Sequence, residues 1–255
     1  LCMFSFMMFC IIIPPVSAFE FGANLPVNSK YMWRGIELNK EAVFQPDIWA
    51  SYKGFTFTVW GNLELTNVHN GHRENGEAGD FTEIDYIVSY EGSFNKFRYG
   101  LGYIYYDYPH TDYDWTHELF ISLGYDTFLS PTATVYRDLR LSDGWYTSFS
   151  LNHDISLPLL LNSTLKTGAT IGFSSSNHSD TYYGIDKTLF SDALVSAALE
   201  IPVTAHIAIT PAVNYSAFLD NAVRNKRLNR RNDTFWSVSY THLRAHETVL
   251  DLVCR

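Results

Sequence analysis

The most regular feature of the chain is an alternation of apolar and polar residues, which runs through most of residues 19–237. In the stretch FTFTVWGNLEL, Phe55 and Phe57 fall on one side of an extended chain, and Thr56 and Thr58 fall on the other. A period of two is typical of β-strands that have one apolar face and one polar face. The pattern predicts twelve strands, at 27–36, 43–52, 55–65, 81–91, 95–106, 115–125, 131–138, 144–155, 163–173, 190–201, 205–218 and from 233 onward.

The connections between these strands alternate in length. Every second connection is short, such as 53–54 and 126–130, whereas the intervening ones are long and polar, such as 66–79, 174–190 and 220–232. Most strands have the roughly 9 to 11 residues that a tilted strand needs to cross a bilayer. Short turns at one end and long loops at the other are typical of outer-membrane barrels. The sequence therefore predicts an all-β fold, a transmembrane antiparallel up-and-down β-barrel of about 12 strands.

A secreted, soluble β-sandwich is the alternative, because its strands also alternate. A sandwich has no reason to separate short from long connections, nor to place aromatic residues at so many strand ends. Interfacial aromatic girdles explain those positions in a barrel. The predicted girdle residues are Tyr31, Trp33, Tyr52, Tyr90, Tyr105, Tyr125 and Tyr215.

Composition adds two restrictions. The net charge of -9 argues against nucleic acid as a partner, since a nucleic-acid binder needs a basic face. Aromatic residues make up 16% of the chain. Charged residues make up only 18%, which is below the roughly one quarter that is usual in soluble domains.

The three cysteines, Cys2, Cys10 and Cys254, all lie outside residues 19–237. That body must therefore be held by hydrogen bonds and packing rather than by disulfides.

Residues 1–18 predict a signal peptide that is truncated at its N-terminus. They form an uncharged apolar run that ends in Val16-Ser17-Ala18, a pattern that signal peptidase accepts. A transmembrane anchor is the alternative, but Pro14 and Pro15 interrupt the run before the roughly 20 residues that a spanning helix needs. The barrel domain is predicted to occupy residues 19–237.

Three stretches resemble a known family: NSKYMWRGIELNKEAVFQPDIWASYKGFTFTVWGNLELT, GDFTEIDYIVSY and YGLGYIYYDYP. They are similar to outer-membrane porins of the TorF type and to related uncharacterised barrels of Gram-negative bacteria. The resemblance covers most of residues 25–218. It implies a bacterial outer-membrane location, contact with outer-membrane lipid and assembly by the barrel-assembly machinery. It brings no catalytic residue and no cofactor.

A twelve-stranded barrel should enclose a narrow pore, since eight strands leave a filled interior and sixteen leave an open channel. Lumen charges decide which solutes pass such a pore. We therefore expect a porin-like channel for small solutes or ions with an acidic outer vestibule. In one alternative, the charges pair and fill the lumen. In another, the barrel is structural or adhesive and binds a partner through its long external loops. The predicted pore-lining residues are Glu64, Glu83, Asp85 and Glu118 near the outer mouth, Arg34 near the top, and Lys30, Lys96, Arg98 and Lys166 near the periplasmic end.

Other chemistries are weakly represented. A lipid hydrolase in the barrel wall would need serine, histidine and an orienting residue in one hydrogen-bonded set. The candidates, His153 with Asp154 and Ser156 and His178 with Ser179 and Asp180, do not fit the H-x-S-N-G pattern of the outer-membrane phospholipase, so no enzyme is expected.

Two polar loop segments are further candidates for binding sites. The loop residues His69, His72, Glu74 and Glu77 are too loosely spaced to predict a metal site. The basic run 224–231 either binds lipopolysaccharide phosphates or is simply a solvated loop.

The C-terminal residues break the alternation. In HLRAHE, the spacing of His242 and His246 would suit a zinc site on a helix. However, residues 238–248 resemble a translated sequencing adapter, and 251–255 resemble its continuation. We therefore predict that 238–255 is a non-native tail without a metal site. The last strand would then be truncated after Ser237 and the barrel would fail to close.

Overall fold

The computed structural model describes residues 19–67, 77–226 and 233–245. Neither described helix is long and apolar enough to cross a membrane. The elements are β1 (Glu20–Asn24), β2 (Val27–Asn28), β3 (Tyr31–Trp33), β4 (Ile36–Asn39), β5 (Val43–Phe44), β6 (Asp47–Tyr52), β7 (Phe55–Glu64), β8 (Phe81–Phe94), β9 (Phe97–Asp107), β10 (Thr116–Tyr125), β11 (Thr132–Asp138), β12 (Trp145–Leu157), β13 (Ser163–Ser174), α1 (Ser176–Tyr183), β14 (Leu189–Pro202), β15 (Ile207–Phe218), α2 (Asn221–Lys226) and β16 (Asp233–Ala245).

The wall is a closed antiparallel barrel. In the described part of the chain, fourteen strand segments form one sheet. The pairs β1–β2 and β5–β6 are each one interrupted wall strand, which gives twelve wall strands. Each strand pairs with its neighbours in chain order, and β16 pairs with β1 to close the sheet. The predicted all-β barrel is confirmed.

Eleven of the predicted strands lie within a few residues of the observed ones, but the strand predicted at 27–36 is wrong. The first wall strand is β1–β2, and residues 31–39 form a separate hairpin, β3–β4, whose strands pair only with each other. Its two-residue turn is Arg34-Gly35, with φ angles of 45° and 80°. Positive φ at both positions is the geometry of a tight hairpin turn, so the chain reverses just before the end of the predicted strand.

The last strand also differs from the prediction. β16 continues past Ser237 to Ala245 and pairs with β1 from Asn24↔Thr241 to Glu20↔Ala245. Ladder hydrogen bonds come from the backbone, so residues of any origin can complete them between two free edges. The expectation of a truncated, open barrel is therefore wrong for this chain. The adapter origin of 238–255 stays a prediction; His242 lies on a strand, and His246 lies outside the described residues.

The two ends of the barrel differ, as the connection lengths predict. We call the end with the short connections the turn end and the opposite end the loop end. The β6–β7 turn is Lys53-Gly54, as expected. The next turn lies later than the predicted strand bounds 81–91 and 95–106 imply, because β8 continues to Phe94 and the chain turns at 95–96.

The barrel is apolar outside and polar inside. Ile121 on β10 is 68% exposed on the outer surface, whereas Glu118 on the same strand is 1% exposed and lies in the lumen. Two predicted girdle residues, Tyr52 and Tyr215, are exposed on the outer wall. Tyr31 and Trp33 are not girdle residues, because they belong to the β3–β4 hairpin and pack in the interior.

A small hydrophobic cluster lies at the loop end. It joins the β3–β4 hairpin, α1 and α2 to the tops of β14 and β15, and we call this assembly the loop-end cap. Helix α1 is delimited by Ser175, whose side chain accepts a hydrogen bond from the His178 N–H, and by Gly184 in the left-handed conformation. The cluster consists of Ile36, Tyr183, Leu189, Phe218 and Val223, with Trp33, Tyr182 and Ile185 packed against it.

Candidate functional site in the barrel lumen

The tip of the β3–β4 hairpin places a guanidinium inside the barrel. Arg34 donates from Nη1 and Nη2 to the two carboxylate oxygens of Glu118 on β10, at 2.8 and 2.7 Å. The side chain of Arg34 is 8% exposed. Such a two-bond pair fixes the plane of the guanidinium as well as its position. The ion pair therefore ties the hairpin to the β10 wall.

Aromatic rings surround the same guanidinium. Its central carbon lies 4.5 Å from the ring centroid of Trp33, 4.7 Å from that of Tyr136 and 4.2 Å from that of Tyr146. A cation is attracted to the face of an aromatic ring, most strongly where water is excluded. We call Arg34, Glu118 and these three rings the arginine cage. The cage bridges the hairpin to β10, β11 and β12.

The other side of the hairpin contacts the opposite wall. A Cβ atom on Gly35 would lie 2.8 Å from Asp192 Cβ on β14 and 2.8 Å from a ring carbon of Phe218 on β15. Tyr31 donates to Glu83 on β8 at 2.8 Å. The hairpin thus reaches from β8 on one side to β14 and β15 on the other, and it narrows the loop-end half of the lumen.

His178 of α1 completes the surroundings of Arg34. Its Nε2 lies 3.1 Å from Arg34 Nη1, and since guanidinium only donates, this nitrogen must accept. Burial, followed by the nearby positive charge of Arg34, lowers the pKa of His178 from 6.5 to about 2. The imidazole is therefore neutral, which is the form in which Nε2 can accept.

Four acidic side chains lie on the lumen side of β7, β8 and β10. We call Glu64, Glu83, Asp85 and Glu118 the acidic cluster; all four are buried. Glu64 accepts from Asn39 Nδ2, from Asn62 Nδ2 at 3.2 Å and from Thr82 Oγ1 at 3.0 Å. These neutral donors hold Glu64 in the wall, and Asn39 connects it to the hairpin.

Towards the turn end, the lumen widens into a cavity of about 510 Å³, which we call the vestibule. It extends from the Lys53-Gly54 turn to Phe120 and Tyr136. Gly102 leaves room for the Phe120 ring, because a Cβ atom at Gly102 would lie 2.5 Å from that ring. Tyr136 both lines the vestibule and covers Arg34, so the vestibule ends at the arginine cage.

The predicted acidic residues and Arg34 thus come together in the loop-end half, whereas the predicted basic residues are spread out. Arg98 lines the vestibule and pairs with Asp126 at 2.6 Å. Lys166 pairs with Glu200 at 2.6 Å. Lys96 lies in the exposed 95–96 turn instead of on the lumen wall. Lys30 precedes β3 and pairs with Glu37 of the hairpin at 3.1 Å, so it is not at the periplasmic end as predicted.

Several interior residues were not predicted. They include Tyr106, which donates to Glu118 at 2.9 Å, and Tyr146, which donates to Asp192 at 3.2 Å. Asp138 accepts from Thr116 at 3.1 Å and from Tyr182 at 2.7 Å. Tyr106 and Tyr146 occupy the positions of their strands that alternate with the apolar, outward-facing residues. The alternation alone is therefore a signal that predicts them to face the lumen.

The two candidate hydrolase sets do not assemble as catalytic triads. His153 binds the Phe128 carbonyl oxygen through Nδ1 at 2.8 Å, and its ring lies against the Phe128 ring, with the centroids 4.0 Å apart and the planes tilted by 38°. The imidazole of His178 contacts Arg34 through Nε2, and its Nδ1 has no hydrogen-bond partner among the described residues. Among the described residues, no three His, Cys, Asp or Glu side chains converge to hold a metal ion. The loop residues His69, His72 and Glu74 lie outside the described residues.

Comparisons with known proteins agree with this architecture. Residues 13–136 match the family described as "Bacterial protein of unknown function (Gcw_chp)". No curated protein sequence matches the chain. The fold is similar to that of the NanC porin, with a TM-score of 0.54 at 8% identity over 86% of this chain and 98% of that one. It is also similar to an outer membrane channel from Pseudomonas putida F1, with a TM-score of 0.50 at 8% identity over 90% of this chain and 96% of that one. The chain therefore has a porin-like β-barrel fold.

Proposed function

We propose that the protein is a narrow outer-membrane channel for small solutes or ions, with its constriction at the arginine cage. The observation that carries this proposal is the continuity of the vestibule with the cage through Tyr136. An aqueous cavity that ends at fixed charges is the arrangement by which a pore selects what passes. The similarity to a porin and to a channel supports the same function. The finer resemblance to the TorF type stays a prediction.

Location and partners belong to the same proposal. The apolar outer surface fits outer-membrane lipid, and insertion would depend on the barrel-assembly machinery. The lipopolysaccharide proposal has less support from the described part of the basic run. Arg224 Nη2 donates to the Phe218 carbonyl at 2.7 Å, and Lys226 donates to the Gly184 carbonyl. Both cations therefore bind oxygens within the loop-end cap.

Planar-bilayer recording of the refolded 255-residue chain tests the channel. We expect small, discrete conductance steps. Arg34→Ala should increase the step size, because it removes the side chain that extends from the hairpin tip through the lumen to Glu118, Tyr136 and Tyr146 on the wall. Arg98→Ala is the matched control: it removes an arginine from the wider vestibule and should change the step size less. Silence from both the parent chain and Arg34→Ala would refute the channel.

A non-conducting structural or adhesive barrel is the second candidate. The loop-end cap favours it, because the hairpin and two helices share a hydrophobic cluster over the loop end. A barrel that closes its outer end with packed side chains can present loops without conducting. The same recordings separate the two functions, because a purely structural barrel would be silent even when Arg34 is removed.

A further inference from the structure

Asp85 is a buried carboxylate without a partner among the described residues. It lies on the lumen side of β8, directly opposite Trp60 on β7 and Tyr106 on β9. The residue is 8% exposed, and its Oδ1 atom has no hydrogen-bond partner. Buried carboxylates are normally paired or hydrogen-bonded, since an isolated buried charge is costly. The Oδ1 atom of Asp85 is therefore available to a partner from outside the described residues.

The neighbours of Asp85 make this requirement stronger. Glu83 is two residues away on the same face of β8, and Glu118 also lies within electrostatic range. Arg34 neutralises Glu118 through the two-bond pair. Glu83 accepts from the Tyr31 hydroxyl, but no lysine or arginine in the described chain pairs with Glu83 or Asp85. Two carboxyl groups thus face the lumen beside the constriction without a countercharge among the described residues.

The chemistry of the site favours a weakly held monovalent cation. A tightly bound divalent metal would need three or more converging ligands, and the described residues provide no such group. Two carboxylates, with the rings of Trp60 and Tyr106 beside them, suit a small cation such as K⁺ or a primary ammonium group. A permeant ion must bind strongly enough to enter and weakly enough to leave.

We propose that Asp85, together with Glu83, forms a binding site for permeant monovalent cations and makes the lumen cation-selective. The permeation part of this inference rests on the proposed channel function, whereas the binding part does not. Asp85 supplies the carboxylate whose Oδ1 atom no donor among the described residues binds. Glu83 supplies the second carboxylate, which Tyr31 holds in position.

The first test measures the reversal potential of the refolded 255-residue chain in a KCl gradient. We expect a preference for K⁺ over Cl⁻, which should fall on the order of threefold or more in Asp85→Asn, since removing a fixed charge from a constriction weakens its focused field. Glu200→Gln is the matched control, because it removes a carboxylate that already pairs with Lys166. It should change the permeability ratio much less.

The second test does not require conduction. Thallium(I) nitrate supplies a heavy monovalent cation that quenches indole fluorescence, and Trp60 lies opposite Asp85. In detergent micelles, Tl⁺ should quench the parent chain and Glu200→Gln at lower concentration than it quenches Asp85→Asn. Circular dichroism of each variant checks that the barrel has formed.

The outcomes separate the two proposals. Conducting channels with unchanged selectivity in Asp85→Asn would overturn the cation site and leave the channel standing. Asp85-dependent quenching, together with bilayers that are silent for both the parent chain and Arg34→Ala, would refute the channel and support the site. If Tl⁺ quenched Asp85→Asn at the same concentration as the parent chain, Asp85 would bind no cation, and the cation site would be refuted.

Discussion

A guanidinium inside a barrel loses its hydration, and Arg34 replaces that hydration with three kinds of contact. Glu118 provides the opposite charge, Tyr136 and Tyr146 provide ring faces, and His178 provides a neutral acceptor. Removing one partner of a buried ion pair leaves the other charge uncompensated, at a cost of about 3–5 kcal/mol. His178 must remain neutral in this arrangement, because an imidazolium would place a second positive charge against Arg34.

The neutral His178 makes the cage sensitive to acid. Its pKa is lowered to about 2 in the folded protein, whereas in the unfolded chain it is near 6.5. The unfolded state therefore binds more protons between these values, so the free energy of unfolding falls as the pH drops below about 6.5. The loss can reach about 1.4 kcal/mol per pH unit from this residue. Stability that depends on neutral His178 is complete above pH 6.5.

Urea unfolding at pH 8, 6 and 4, followed by tryptophan fluorescence, measures this effect. The difference between the parent chain and His178→Asn isolates His178, because asparagine does not titrate. We expect the parent chain to lose more stability than the variant between pH 6 and 4. Equal losses would mean that His178 is protonated without cost and does not support the cage.

At the scale of single residues, the sequence predicts which side chains face inward but not which of them meet. Alternation places Glu64, Glu83, Asp85 and Glu118 in the lumen, and the structure finds all four there. The cage instead joins Arg34 to Glu118 and to His178, which are 84 and 144 residues away in the chain. Such contacts depend on the closure of the barrel, and no local periodicity encodes them.

At the scale of elements, the β3–β4 hairpin shows where periodicity fails. A strand in the wall and a strand folded into the lumen have the same period of two, so the pattern assigns residues 27–36 to the wall. The distinguishing signal is local: Arg34-Gly35 adopts positive φ angles, and glycine tolerates them. Gly35 also lies against Asp192 and Phe218, which leaves no room for a side chain.

Substituting Gly35→Ala should therefore displace the hairpin. The new methyl group would meet both backbone strain, of about 1–3 kcal/mol, and contact with Asp192 and Phe218. Gly79→Ala is the matched control, because Gly79 also has a positive φ, of 100°, but has open space around its Cβ position. Limited trypsin digestion, with mass spectrometry of the products, reports on the hairpin through cleavage at Lys30 and Arg34.

We expect faster cleavage at Lys30 and Arg34 in Gly35→Ala than in the parent chain, and little change in Gly79→Ala. Packing of the tip, and not glycine flexibility alone, would then hold the hairpin in the lumen. If both variants were cleaved at these sites as slowly as the parent chain, the tight fit of Gly35 would not matter for the position of the hairpin.

At the scale of the whole molecule, the barrel separates two kinds of surface by strand alternation alone. Apolar residues form the outer surface, and the interior collects polar groups that a soluble protein would expose. The strand count and the connection lengths follow from the sequence because each depends on local pattern. Closure of the barrel cannot be predicted from such a local pattern. It depends on the backbone edges of β1 and β15, and not on the side chains of the segment between them, β16.

The role of β16 in closure provides the last prediction. Ending the chain after Ser237 would remove all five residue pairs between β16 and β1 and leave the β1 edge without a partner. Unpaired edges cost backbone hydrogen bonds and invite pairing between molecules. We therefore expect the 1–237 chain to aggregate or to lose the heat-modifiable migration on SDS gels that marks a closed barrel.

The matched control is the 1–245 chain, which keeps every described residue of β16 and should migrate like the 255-residue chain. Resistance to protease should follow the same order, since an open wall exposes backbone that the closed wall protects. If the 1–237 chain were as heat-modifiable and as protease-resistant as the full chain, closure would have to come from β15 pairing with β1 directly. Residues 238–245 would then occupy the gap without being needed to close it.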